Sequence, residues 1–520
     1  MRTFAPIVLG LATGFALGGG AEAADLPTRK AAPAAEHVRV CTAFGAGYFT
    51  IPGTDTCLKI GGLVRYWITE RPAAPTGVLN QAVANEAGQL YLRDAYYDHS
   101  RVFLNIDARS NTDYGPLVAV ISERYTYDAM PPTPYGGGKA YLNGAAAPYT
   151  SYGTFQGLPN AQNWFDAAYV QWAGVTAGVK HSYFDFYTHG YEVMSLTMGV
   201  SDQPLPLIAY TAQLGTGFSA SLSLEDPTFR DIGDEAGDVG LNQNNPKNST
   251  TDAFLTYGGM RAPDFVGDLR LDGAWGSAQV AGALHEVNSA PIYGCSNYAP
   301  TPALPTVATC ATPGNTDTGA KLDTLALGYA PAAVWGFALE GGVKLNLDAL
   351  NKGDSVTVQV SYDKGATDYL NSAATGYAGT TGVYFRDQNI TIPGNDAFVT
   401  PTGSIALSQA AGGFAGFQHY WTPTVRSAVF GSYMAIKNPS YAEALSSSAA
   451  SARIWDLGAN VVWSPVKNLE FGAEVVYADL ALSAPASTLV TYLPSGASKT
   501  LVVPANSDDW RARIRAQYSF

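Results

Sequence analysis

Charge is scarce in this chain. Only 14% of its residues are Asp, Glu, Lys or Arg, against roughly 25% in soluble domains. What charge there is leans acidic, with a net −13, which argues against a nucleic-acid partner. Cysteine is nearly absent: Cys41, Cys57, Cys295 and Cys310 are the whole set. None lies in CxxC spacing with histidines nearby, so no zinc site is expected. Catalytic signatures are missing too. The six histidines (His37, His99, His181, His189, His285 and His419) are scattered, with no HExxH and no GxSxG. "GASKT" at 496–500 fails the order of a phosphate loop. No enzyme and no cofactor is therefore expected. A triad assembled across strands around His99 or His285 is the remaining catalytic reading, and a lone structural histidine is the ordinary one. Tandem repeats are absent, which sets aside propellers and β-helices. Beyond the N-terminus no run of about eighteen apolar residues could cross a membrane as a helix. If the chain resides in a membrane, it does so as a closed β-barrel.

What is abundant is strand and turn chemistry: 31 Tyr, 55 Gly and 12% aromatics. At the N-terminus, Arg2, the apolar "FAPIVLGLATGFALGGG" and Ala21-Glu22-Ala23 read as a secretory signal cut after Ala23. Residues 24–40 form an Ala/Pro-rich arm, and 41–520 a single barrel domain. Export permits disulfides. The cysteines fall into two close pairs, which favours Cys41–Cys57 and Cys295–Cys310, although four cysteines allow three connectivities.

The body of the chain alternates with a period of two. In 58–69, Ile60, Val64, Tyr66 and Ile68 oppose Lys59, Leu63, Arg65 and Trp67. In 355–364, Val356, Val358, Val360 and Tyr362 oppose Thr357, Gln359, Ser361 and Asp363. The same pattern recurs at 97–109, 216–226, 336–347, 453–464, 468–480 and 508–519. Further strands are expected near 116–126, 164–173, 175–183, 205–213, 264–274, 277–287, 413–422 and 425–436. The total is about sixteen, an even number suited to a bacterial barrel. Short turns alternate with long Gly/Pro/Ser/Asn-rich loops, as in a barrel with a turn side and a loop side. Such loops fit an ordinary compact domain poorly. A soluble sandwich alternates as well. Strands of roughly ten residues and aromatics at strand ends (Tyr66, Trp67, Trp421, Trp455, Trp463 and Tyr518) favour a transmembrane antiparallel β-barrel.

Longer stretches carry a specific resemblance. "VRVCTAFGAGYFTIPGTDTCLKIGGLVRYW", "AYVQWAGVTAGVKHSYFDFY", "SLSLEDP", "RAPDFVGDLRLDGAWGSAQVAGALHEV" and the terminal "YSF" resemble the two-cysteine general porins of alphaproteobacteria. That resemblance covers most of the chain. It implies an outer-membrane homotrimer of sixteen-stranded barrels for passive diffusion of ions and small hydrophilic solutes, with lipopolysaccharide around it. It implies a third loop folded into the lumen, and recognition of the terminal Phe520 by the insertion machinery. One departure is Val179, where the family often places a basic residue after the glycine; here Lys180 comes one position later.

A diffusion pore needs a size limit and a field from fixed charges. On the closing strand, Arg511, Arg513 and Arg515 share the inward face. Lys59, Arg65, Arg101 and Arg109 lie on the inward faces of the first two strands, and together these seven are expected to form one basic wall. A second reading has them pair with Asp107, Glu470 and Glu474 and hold the wall together. Asp185, Glu192 and Asp202 of the third loop are expected to face the basic wall across the constriction. The run Asp231, Asp234, Glu235 and Asp238 misses EF-hand spacing and reads as a solvated loop near cations that bridge lipopolysaccharide. Rival functions are a structural or adhesive barrel, and a nutrient-selective channel with Trp67 as one inward aromatic.

Overall fold

The computed structural model describes residues 39–70, 96–129, 160–193, 198–230, 258–289, 331–370, 395–400, 404–445, 450–483 and 506–520, with short strand pairs within 82–92, 141–146, 383–392 and 487–503. The expected leader, most of the arm, Cys295 and Cys310, and the run Asp231, Asp234, Glu235 and Asp238 lie outside the described residues.

Sixteen long strands form one antiparallel sheet, to which the two-residue strand Phe49–Thr50 adds at Cys57 and Leu58. They are β1 (Cys57–Glu70), β2 (Tyr96–Thr112), β3 (Gly115–Ala129), β4 (Asn160–Trp172), β5 (Val175–His181), β6 (Pro204–Gly215), β7 (Phe218–Glu225) and β8 (Asp264–Gly273). The second half comprises β9 (Gly276–Val287), β10 (Val334–Asn346), β11 (Ser355–Lys364), β12 (Gln409–Thr422), β13 (Val425–Lys437), β14 (Ala452–Val466), β15 (Leu469–Leu482) and β16 (Asn506–Ser519). Each strand pairs with its sequence neighbour, and β16 returns to β1 over Leu63↔Ser519 to Glu70↔Ala512. Closure leaves no edge, so the wall satisfies its own backbone groups. At the seam, Gly62 and Phe520 exchange two backbone hydrogen bonds of 3.0 Å. A Cβ on Gly62 would collide with the Phe103 carbonyl and press on the Phe520 ring. Only glycine lets the seam close there.

The sixteen expected strands are all present, and most run longer than their alternation suggested. An exception is β5, which stops at His181 because Ser182 turns the chain inward. The Ser182 hydroxyl donates to Glu225 Oε2 at 2.6 Å, and the Tyr183 amide donates to Glu225 Oε1 at 3.0 Å. The tight turns carry the positive φ values that two-residue hairpins need, as at Ala173 (50°) with Gly174 (85°).

Side-chain exposure inverts the soluble pattern. Leu222 is 75% exposed, Val280 63% and Val360 60%, while Arg511, Glu474 and Gln359 are buried. Such a band would drive aggregation in water, whereas against acyl chains it is at home. On the turn side, residues 41–57 are stapled by a Cys41–Cys57 disulfide. Tyr48 packs beside that bond, with Lys59 Nζ 5.8 Å and Arg109 Cζ 5.5 Å from its ring centre.

Candidate functional site

Loop 3, residues 182–203 between β5 and β6, enters the barrel and lies along the inner faces of β11 to β16. Tyr187 donates its amide to Gln359 Oε1, and the Tyr191 hydroxyl bonds Ser355 and Thr357 at 3.0 and 2.8 Å. Asn460 donates to the Tyr191 carbonyl, and the Val193 amide donates to Glu474 Oε2 at 2.6 Å. The Val193 carbonyl accepts from Arg515 Nη1 at 2.7 Å. Farther along, the Met198 amide donates to Ser432 Oγ. Rings complete the contact: Tyr187 stacks on Phe414 at 4.0 Å between centroids. The polar inner wall therefore supplies donors and acceptors for a loop that would otherwise bury its backbone unpaired.

The seven basic residues do not make one wall. Lys59 and Arg109 sit by Tyr48 on the turn side, and Arg109 forms a 2.7 Å ion pair with Asp107. Strand faces are legible from alternation, whereas height along the barrel depends on register, and register separates these two from the rest. Arg65 sits directly opposite Arg101, and Trp67 opposite Arg515. Arg65 Nε donates to Gln517 Oε1, and Arg101 Nε to Thr126 Oγ1. Arg515 pairs with Glu470 at 2.9 Å and Arg513 with Glu474 at 3.6 Å. Arg511 is buried on the same strand face. Two members went unassigned from sequence. Arg426 holds the other oxygen of Glu470 at 2.8 Å, and Arg124 pairs with Asp166 at 3.1 Å beneath Trp164. Both lie on recognised strands whose faces had not been read, so the period-2 rule could have found them.

The three loop acids each have partners close at hand. Among the described residues none pairs with the seven basic residues. Asp202 lies 2.9 Å from His181 Nδ1 and 3.2 Å from His189 Nε2. Glu192 accepts from the Tyr187 hydroxyl at 2.7 Å. Asp185 accepts the Gln203 amide and lies 3.6 Å from Arg230 Nη2. The loop's own turns supply nearer cations and donors than the opposite wall does. Burial opposes the charge on His189, yet the carboxylates of Asp202 and Glu192 beside it outweigh that and lift the imidazole to about 10. Burial likewise opposes the charge on Asp202, and the two histidines hold its carboxyl well below the usual range.

A second polar chain ties loop 3 to other long loops, and no local motif announced it. Arg230 donates to Ser201 Oγ and lies 3.9 Å over the Tyr369 ring. The Tyr369 hydroxyl donates to Asp264 at 2.7 Å, and Asp264 bonds His285 Nδ1 at 2.8 Å. Asp396 closes the series, accepting from the Thr367 amide and hydroxyl. Next to it, Asp368 is 2% exposed, and neither carboxylate oxygen has a hydrogen bond. Burial raises it to about 8, with Arg230 opposing and Asp396 reinforcing the rise. The folded carboxyl thus prefers its proton more than the unfolded one does. Its contribution is full below the unfolded value near 3.8 and is lost as pH rises through about 8. Asp368→Asn should therefore leave stability below about pH 3.8 almost unchanged and raise it at pH 9, read from paired thermal melts. Equal losses on the alkaline side in both proteins would remove Asp368 as the cause.

Trp67 faces inward but is covered. Its ring stacks on His99 at 4.5 Å, with Arg101 5.0 Å from its centre. Inside the lumen, a cavity of about 290 Å³ lies against loop 3, between Phe186, Tyr187 and His189 on one side and Arg270 and Lys344 on the other.

A family model described as a porin subfamily matches residues 25–512. Porin Omp2b of Brucella suis biovar 1 (strain 1330) is 29% identical over 280 residues, 54% of this chain and 64% of that protein. Porin Omp2b of Brucella abortus (strain 2308) matches over the same shares at the same identity. The alignment thus spans less than two thirds of these relatives' length. Among solved structures, the outer membrane channel DcaP of Acinetobacter baumannii superposes with a TM-score of 0.53 at 14% identity, covering 91% of this chain and 99% of that one. At that identity the likeness shows the fold.

Proposed function

The chain belongs to the porin subfamily, and from that membership we propose that it forms a water-filled channel for passive diffusion of ions and small hydrophilic solutes. Membership and the closed sixteen-strand barrel make it a β-barrel protein of the Gram-negative outer membrane. It is a channel family and not an enzyme family. The observation that carries the proposal is loop 3, which runs inside a barrel whose inner face is polar and whose outer face is apolar. A structural or adhesive barrel would have no use for an inward loop bonded to a charged wall. The nutrient-selective reading loses its aromatic platform, since Trp67 lies under His99 and Arg101.

In this reading the constriction lies between loop 3 and the arginines of β16 to β3: Arg515, Arg65, Arg101 and Arg124. Loop 3 sets the size limit and the arginines set the field. Lys59 and Arg109 act at the turn-side mouth. Asp185, Glu192 and Asp202 shape the loop first and contribute to the field second. The assembly is a homotrimer surrounded by lipopolysaccharide, with Phe520 read by the insertion machinery. Purified protein in a planar bilayer should give discrete conductance steps and a measurable reversal potential under a salt gradient. No steps from folded protein would sink the channel.

A further inference from the structure

His181 ends β5, Asp185 and His189 follow on the inbound arm of loop 3, and Asp202 lies on the return arm just before β6. His181, Asp185 and Asp202 each offer a ligating atom, and these atoms all lie within 4.8 Å of one another. His189 Nε2 stands 3.2 Å from the second oxygen of Asp202. Bonds of 2.0–2.2 Å in a tetrahedron place ligand atoms roughly 3.3–3.6 Å apart. The separations here, 2.9 Å for His181–Asp202 and 3.8 Å for His181–Asp185, bracket that spacing.

A second observation separates this cluster from plain ion pairing. His181 Nδ1 and Asp202 Oδ1 are 2.9 Å apart, yet neither atom makes a hydrogen bond. A donor and an acceptor at that distance should align; two ligands of one ion need not. Asp185, whose side chain is fully buried, turns Oδ2 toward His181 Nδ1 at 3.8 Å and Oδ1 toward Arg230 Nη2 at 3.6 Å. His189 adopts a φ of 61°, a conformation that residues other than glycine seldom hold, and there its ring reaches Asp202. The side chain of His181 is 41% exposed, which leaves an entry path.

We propose that His181, Asp185 and Asp202 form a binding site for a divalent transition metal of the zinc type, with His189 holding the second oxygen of Asp202, and that the ion clamps the two arms of loop 3 together. Imidazole with carboxylate suits zinc-like ions, whereas calcium and magnesium prefer all-oxygen sets. The ion would bridge the root of the loop to its return arm, and a site there acts on the aperture.

The test is zinc binding to the full chain in detergent after chelator treatment, followed by calorimetry, with calcium and magnesium as controls. One zinc per chain is expected, bound at least about 100-fold more tightly than either control. His181→Gln with His189→Gln should weaken zinc binding about 10-fold or more, with folding checked by heat-modifiable gel migration. Cobalt in the wild-type protein should give an intense visible ligand-field band, which needs no variant. Absence of saturable zinc binding, an unchanged affinity in the folded double variant, or a cobalt spectrum equal to the free aqua ion would each overturn the site. None of these readouts depends on conductance, so the channel and the metal site fail or stand separately.

Discussion

Replacing Arg511, Arg513 and Arg515 together by glutamine is expected to shift the reversal potential toward cation preference and to weaken the fold. The three side chains are buried on the inner face of β16, and the two effects have separate causes. Removing three positive charges from the wall behind and beside a narrow aqueous path changes the field that a passing ion meets. Removing Arg513 leaves the buried carboxylate of Glu474 without its cation, whereas Glu470, losing Arg515, keeps Arg426. Breaking such a pair from one side costs about 3–5 kcal/mol when it is fully buried. Glu474 is the more buried acid, with a side chain at 0% exposure against 22% for Glu470. It keeps hydrogen bonds from Val193 and Asn460, so its loss is expected at the lower end. Arg515 carries a further role, because it also holds the Val193 carbonyl. Its single replacement should increase channel noise, whereas replacing Arg511 alone should alter selectivity without that noise. An unchanged reversal potential in the folded triple variant would remove the row from the constriction.

Gly199→Val should free loop 3 from the wall. Gly199 has a φ of 69°, and an added Cβ would lie 2.5 Å from the Tyr433 carbonyl oxygen and 2.8 Å from the Gly412 carbonyl carbon. Neither is a flexible side chain that could move aside. Holding a β-branched residue in that conformation costs about 1–3 kcal/mol before any clash is counted, which is about 5- to 150-fold in the docked population. The neighbouring Met198–Ser432 bond would go with it. The barrel's ladder is untouched, so the variant should still fold and show larger, noisier single-channel steps. Gly199→Ala should do the same more weakly. Wild-type conductance from folded Gly199→Val would show that the loop does not narrow the path.

These two cases mark what was legible from sequence. The wall was readable because strand faces alternate locally: the arginines of β16 and the valines of β11 declare their sides within a few residues. Pairs such as Glu474↔Arg513 then follow from strand adjacency and register. Height was less readable, and Lys59 and Arg109 were grouped with residues from which register separates them. The course of loop 3 left no local trace. Tyr191 meets Ser355 and Thr357 from far along the chain, and Gly199 meets Gly412 and Gly413. Its acids looked available to the arginines, because sequence shows which charges exist but not which histidine a turn brings nearer.

The buried series from Asp185 through Arg230 and Tyr369 to Asp264 and His285 links loop 3 to loops on the outward side. A change at Arg230 or Tyr369, although it falls on an outward loop, would pull on Asp185 and through it on loop 3. That part of the outer surface cannot change on its own, because these few residues wire it to the interior of the barrel.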